Sequence, residues 1–236
     1  MPRIIAALIR HGDYYQLPDT PSAWQPFPLN EQGKNHALAA AANINNILNQ
    51  QNWQLDATFN SSQLLRAWQT ATIIGKKLNQ LNPYYRPLKV IAYEQLAERG
   101  VGSVANLSIS RIEEIIACDP RYENLPVNWK SNSYYCLPFQ GAESLMDSGE
   151  RVAKHIKTSM LELRNEIKTD TLKLYVGHGA AFRHAAFHLG LLDFEQIAQL
   201  SMFHGSPIYF ELTEENKWTH IFGEWKVRGE TTQFTD

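Results

Sequence analysis

Two apolar runs of this chain end on a histidine. "RIIAALI" (3–9) leads into Arg10, His11 and Gly12, and "TLKLYV" (171–176) leads into Gly177, His178 and Gly179. An imidazole can act as a nucleophile, and a guanidinium beside it presents planar, multidentate donors to an anion. Arg10 next to His11 therefore suits attack on an anionic centre such as phosphorus. There, positioning and positive charge around three equatorial oxygens do most of the work. Arg66, on an otherwise apolar helical segment, either pairs with a carboxylate or supplies a second guanidinium. A histidine alone at a strand end reads as a hydrogen-bonded surface residue; the arginine beside it and the second histidine reverse that reading.

Such residues need a scaffold that gathers distant strand ends. Residues 3–9 read as a strand buried on both faces, because the run is continuous rather than alternating. Further strands are predicted at 56–62 ("DATFNSS"), 88–93 ("LKVIAY") and 171–177, with a final pair at 207–212 and 218–223. Asn30 is a plausible N-cap for a helix over about 31–50. A second helix carries Leu64, Trp68, Ala71, Leu78 and Leu81 on one face. A short helix is expected near 109–117 and another at about 179–190. A long one at about 143–167 has Leu145, Val152, Ile156, Met160, Leu163 and Ile167 as its stripe.

This alternation predicts one α/β domain over residues 1–236, a three-layer sandwich with helices on both faces of a mostly parallel central sheet. Ligand sites in such sheets lie beyond the carboxyl ends of the strands. Arg10 with His11, Ser61 with Ser62, and Gly177 with His178 all fall there. Two proline-broken, tyrosine- and tryptophan-rich segments, 13–28 and 119–141, are expected as loops, the second within a substrate-proximal insertion at about 103–141.

A chain of 236 residues can bury one sizeable core. Its net charge of −2 leaves no global basic field for nucleic acid or an anionic membrane, so any attraction for anions is local. No stretch is long enough to span a bilayer, and the apolar part of "MPRIIAALIRHG" is too short for a secretory core. The expected location is cytoplasmic. Cys118 and Cys136 form no metal-type pair and are expected as reduced packing thiols. His184 and His188 stand four apart in "HAAFH", but alanine occupies the place of a general base and no third ligand accompanies them, so no metal is expected there. The sequence carries no signal of oligomeric state.

Five segments occur in order: "RHG" (10–12), "SSQLLRAWQTA" (61–71), "LAERGVG" (96–102), "QGAESLMDSGERV" (140–152) and "GHGAAFR" (177–183). Together they resemble the histidine phosphatase superfamily, the phosphoglycerate-mutase-like group, over nearly the whole chain. "LNEQGKNHA" (29–37) is similar to that family's L-T-x-x-G segment, with Asn30 in place of threonine. The resemblance implies a phosphoglycerate-mutase-like fold and a phosphohistidine intermediate on His11. Arg10, Arg66 and His178 would bind the phosphoryl group, His178 as a charged donor when protonated, and Glu98 of "LAERG" would be the general acid and base. Gly12, Ser62, Gly179 and Arg99 join the phosphate- and substrate-binding set, Gly12 by removing a side chain where phosphate comes close. No metal or cofactor is implied, since the arginines and histidine supply the charge. The expected partner is a small phosphomonoester or a phosphopeptide.

Several roles stay open at this level. Ser62 either donates to a phosphate oxygen or caps the following helix. Asp13 rivals Glu98 as the acid, and Glu98 could instead belong to a surface cluster with Glu94 and Arg99. Glu143 supports the site or caps its helix, and Arg183 reads as a structural ion pair rather than a substrate contact. Mutases of the family continue R-H-G with E-S-x-W-N, whereas here Asp13 replaces the glutamate and Leu17 the asparagine. Their adjacent substrate-binding arginines are also missing, because residues 103–141 offer only scattered Arg111, Arg121 and Lys130. Hydrolysis is the expected reaction. A mutase-type phosphotransferase is the alternative, and a catalytically slow phospho-ligand-binding module is the second.

Overall fold

The computed structural model describes residues 2–83 and 87–229. In chain order its elements are β1 (Ile4–Arg10), α1 (Glu31–Gln51), β2 (Gln54–Leu55), β3 (Thr58–Ser62), α2 (Leu65–Leu81), β4 (Lys89–Tyr93), α3 (Ile109–Cys118) and α4 (Leu145–Arg164). They continue with β5 (Thr171–Gly177), α5 (Gly179–His188), α6 (Phe194–Gln199), β6 (Leu200–Ser201), β7 (Pro207–Leu212), β8 (Trp218–Phe222) and β9 (Lys226–Val227). The main sheet runs β4-β3-β5-β1-β7-β8, with β2 also paired to β5. The β4–β3, β3–β5 and β5–β1 pairs are parallel, while β7 and β8 add an antiparallel edge.

Strand β1 is buried on both faces because it separates two cores. Its odd residues Ile5, Ala7 and Ile9 pack with Ala37, Ala41 and Ile44 of α1 and Ala67, Ala71 and Ile74 of α2. Its even residues Ile4, Ala6 and Leu8 pack with Val152, Ile156 and Met160 of α4 and Ala181, Phe182 and Ala185 of α5. Alternate side chains leave opposite faces of a strand, so a continuous apolar run serves both layers. Val104, Ile112, Ile116, Trp129 and Leu137 form a third cluster that includes Ala23 from the 13–28 loop. The two aromatic loops thus pack on one another.

The boundaries follow local chemistry. Asn30 caps α1 by accepting from the Gly33 N–H. Helix α4 begins at Leu145, because Ser144 and Asp147 form a reciprocal capping box. It stops at Arg164, so Ile167 lies beyond the helix, though still packed against the core. The strand expected from 56 starts at Thr58, and the helix expected to 190 ends at His188. Helix α6 and the short β2, β6 and β9 lack a periodic signal and went unpredicted.

The face assigned to α2 needs correction. Trp68 and Leu81 are exposed, and the buried stripe is Arg66, Ala67, Thr70, Ala71, Ile74 and Leu78. Turning Arg66 inward rotates the helix so that small residues meet the sheet and Trp68 faces out. Cys118 and Cys136 are free and exposed rather than packing thiols. Among the described residues, no helix is long and apolar enough to cross a membrane.

Candidate active site

Four parallel strands deliver their following residues to one edge of the sheet. In the β1–β5 ladder Arg10 lies opposite Gly177, and the His11 N–H donates to the Gly177 carbonyl at 2.9 Å. His11 and His178 are therefore neighbours, with ring centroids 5.1 Å apart. Ser62 ends β3 and is fully buried. β4 runs through a 3₁₀ turn at Glu94–Leu96 to Glu98, which is also buried.

Hydrogen bonding assigns the tautomers. His11 Nδ1–H donates to the Gly12 carbonyl at 2.7 Å, leaving Nε2 to accept from Arg66 Nε at 3.2 Å. Arg66 Nη2 donates to His178 Nδ1 at 3.2 Å, so His178 Nε2–H donates to Ser62 Oγ at 2.8 Å. Burial, and then the nearby guanidinium of Arg66, hold both imidazoles well below the ordinary histidine range. Both rings are neutral in this arrangement, which gives His11 Nε2 a lone pair. His178 is not a charged donor here; its N–H goes to Ser62.

Arg66 is fully buried and is the hub of the site. Besides the two imidazoles it donates to the carbonyls of Ser22, Ala23 and Gln25 at 2.9–3.0 Å. Its guanidinium lies 4.7 Å from the centre of the Tyr14 ring, whose hydroxyl bonds Ser22 Oγ. Arg66 thereby ties the 13–28 loop over the histidines. Arg10 donates to the Met202 carbonyl. A Cβ on Gly179 would sit 3.2 Å from Arg10 Cδ, so this glycine lets the arginine lie across the start of α5.

Two residues of the expected phosphate-binding set, Gly12 and Ser62, have well-defined partners within the fold. Gly12 is a glycine because a Cβ there would come within 2.3 Å of the Gly33 carbonyl oxygen, and its N–H donates to Thr70 Oγ1. The space it leaves is filled by the first turn of α1. Ser62 Oγ accepts from Leu64 N–H and from His178, while the N-cap of α2 is Leu64, with no side-chain cap bond. Ser62 orients His178 rather than capping the helix.

Glu98 lines a narrow pocket of about 10 Å³ with Ser22, Ala23, Arg99, Leu145 and Ala180. Its carboxylate accepts from the Arg99 N–H at 2.9 Å. Burial lowers the buried Arg99 guanidinium from its ordinary value, opposed by Glu98. The segment carrying Glu98 is clamped on both sides. Arg151 donates to the carbonyls of Glu94, Gln95 and Ala97 and pairs with Glu143 at 2.5 Å, and Glu143 accepts from the Gly100 N–H. Glu143 supports this segment and leaves the cap to Ser144. Asp13 is anchored otherwise: its carboxylate accepts from Asn30 Nδ2 and from the Tyr14 N–H.

The remaining polar side chains tie elements together. Arg183 donates to the carbonyls of Gly179, Ile197 and Leu200. His184 bonds the Ala180 carbonyl and Ser133 Oγ, and His188 bonds the Met146 carbonyl. Among the described residues no three His, Cys, Asp or Glu side chains converge as a metal site. The sequence did not single out Tyr14, Thr70, Arg151 or His204. His204 stacks on His11 at 5.6 Å and 28° from a loop with no periodic signal. Arg151 and Thr70 left a trace, lying two helical turns after Glu143 and one after Arg66 in the sequence.

Comparison with known proteins places the chain in a family. The 2,3-bisphosphoglycerate-dependent phosphoglycerate mutase of Gloeothece citriformis is 24% identical over 89% of this chain and 94% of its own. That of Parvibaculum lavamentivorans is 27% identical over 91% and 93%. Among solved structures, a mycobacterial glucosyl-3-phosphoglycerate phosphatase superposes with a TM-score of 0.64 at 21% identity, over 94% of this chain and 98% of that one. The phosphoglycerate mutase of Bacillus anthracis gives 0.68 at 16%, over 93% and 92%. These similarities at low identity establish a shared fold with enzymes of two reaction types. A family model matches residues 6–223, and the chain belongs to the histidine phosphatase superfamily, branch 1.

Proposed function

We propose that this chain hydrolyses phosphomonoesters through a phosphohistidine on His11. The observation that carries the reading is the neutral His11, whose Nδ1–H is held by the Gly12 carbonyl while Nε2 faces a buried guanidinium shared with His178. The Arg66 Nε–H turns from Nε2 to a phosphoryl oxygen, the freed Nε2 lone pair attacks phosphorus, and the bond from phosphorus to the ester oxygen breaks. Glu98, as the carboxylic acid, passes its proton to the departing oxygen. Water then attacks the phosphohistidine, losing a proton to the Glu98 carboxylate, and the P–N electron pair returns to Nε2. Arg10 and Arg66 balance the charge on the equatorial oxygens. The bound dianion favours the imidazolium form of His178, which takes up a proton as substrate binds. Glu98 suits the acid role better than Asp13, because both Asp13 oxygens are committed to Asn30 and Tyr14.

The names of the curated relatives favour a second reading, phosphoglycerate mutase. A mutase must bind a second anionic group and keep water from the phosphoenzyme. Of the arginines between Glu98 and α4, only Arg99 lines the Glu98 pocket, and the other two are paired elsewhere. Arg111 pairs with Glu114 and Arg121 with Asp119, all in surface ion pairs except the half-buried Asp119. Incubation with 3-phosphoglycerate and catalytic 2,3-bisphosphoglycerate, followed by ³¹P NMR, separates the two. Hydrolysis releases inorganic phosphate; accumulation of 2-phosphoglycerate with little free phosphate overturns it in favour of the mutase.

A further inference from the structure

We propose that the leaving-group side of this site is built for a ring-sized alcohol, seated in the cavity between residues 130–134 and the α5–α6 pair; this rests on the hydrolase reading above. In an in-line displacement the leaving oxygen departs opposite His11 Nε2, toward the acid that protonates it. The organic part of the ester therefore lies on the Glu98 side of phosphorus. The narrow pocket around Glu98 is walled by Leu145 and Ala180, and the same two residues are walls of a cavity of about 350 Å³. These two shared residues put that cavity next to the acid.

The size sets the class of ligand, and the walls combine apolar Leu145, Ile197 and Phe194 with the cationic side chains of Lys130, Arg183 and Arg228. Pockets of roughly 300–1,000 Å³ take ring-sized organic molecules, whereas a three-carbon group would touch one end only. Tyr134 and Phe194, both exposed, line it as a ring pair stacked at 5.5 Å and 26°, an aromatic wall suited to a ring-bearing ligand. The wall is fixed in place: Ser133 Oγ bonds His184 Nε2 at 3.1 Å, and the Ser133 carbonyl accepts from Met146 N–H. Burial pushes His184 down to about 4, so this tie persists as a neutral hydrogen bond. A second cavity of about 350 Å³, beside the Glu143–Arg151 pair, shares no wall with the Glu98 pocket.

The class is phosphomonoesters of alcohols that carry a six-membered or larger ring. The test compares kcat/KM for cyclohexylmethyl phosphate, benzyl phosphate and glucose 6-phosphate with that for ethyl phosphate and 3-phosphoglycerate, all alkyl esters. At least one ring ester is expected to exceed ethyl phosphate tenfold or more, and which one leads distinguishes a hydrocarbon ring from a sugar. Ala198→Trp fills the cavity from an exposed position and should cut the ratio of ring ester to ethyl phosphate at least tenfold. Tyr134→Ala should lower the same ratio severalfold. Because each protein is its own control, partial misfolding cancels from the ratio. A ratio near one in the wild type, or one unmoved by both substitutions, overturns the inference while leaving hydrolysis intact. No phosphate from any ester, with no phosphoenzyme, overturns the hydrolase reading itself.

Discussion

The His11 and His178 rings lie 5.1 Å apart because each is the first residue past a strand in one parallel ladder, with Arg10 opposite Gly177. The ladder alone would leave two imidazoles side by side with no fixed orientation. Arg66 fixes them, reaching His11 Nε2 and His178 Nδ1 with separate nitrogens at 3.2 Å each. One tetrahedral group placed among these three side chains meets a nucleophile and donors together.

Removing the nucleophile separates binding from chemistry. His11→Ala should abolish the alkali-stable, acid-labile phosphoenzyme and lower turnover by roughly 10⁴-fold or more. Rapid-quench labelling with ³²P substrate reads both quantities. Undiminished turnover in this variant rejects His11 as the attacking group.

Leaving-group dependence identifies the acid. Glu98→Gln should slow alkyl phosphates by about 10²–10⁴-fold and p-nitrophenyl phosphate far less, since an activated phenolate departs with little protonation. Asp13→Asn should slow both esters alike, by loosening Asn30 and Tyr14. The opposite pattern would make Asp13 the acid.

Gly12→Ala tests why that glycine is there. The added methyl meets the Gly33 carbonyl oxygen at 2.3 Å, so β1 and α1 must part. We expect a stability loss of about 1–3 kcal/mol by urea denaturation. An unchanged urea midpoint with a raised KM would instead assign Gly12 to close contact with the substrate's phosphate.

Stability should fall as the solution is acidified. Burial, the leading cause in each case, depresses His11 and His178 well below 6.5 and takes His155 and His184 to about 4. The unfolded chain then binds protons that the folded chain refuses. Stability is full at about pH 7.5 and above, where neither form is protonated, and declines as the pH falls through 6.5, down to about 4 for His155 and His184. Each such histidine contributes up to about 1.4 kcal/mol per pH unit within that window. Urea midpoints that stay level from pH 7 to pH 5 would contradict the neutral assignment of these rings.

Much of the fold can be read from local pattern. A continuous apolar run such as Ile4–Ile9 has one stable use, as a central strand covered on both faces, and β1 takes that place. The same reading put Arg10, His11 and His178 at strand ends, because strand direction is a property of the chain itself. What each side chain touches is not local. Gly12 answers to Gly33, and Ser62 to His178, a residue 116 positions away. The outward turn of Trp68 follows from the inward turn of Arg66. The clamp of Arg151 on the Glu98 segment joins parts of the chain more than fifty residues apart. Residue types and their order determined which chemistry was available, since nucleophile, cations and acid are properties of side chains. Only tertiary packing decided their tautomers, their charge states and the cavity beside Glu98, since these depend on burial and on partners brought together by folding.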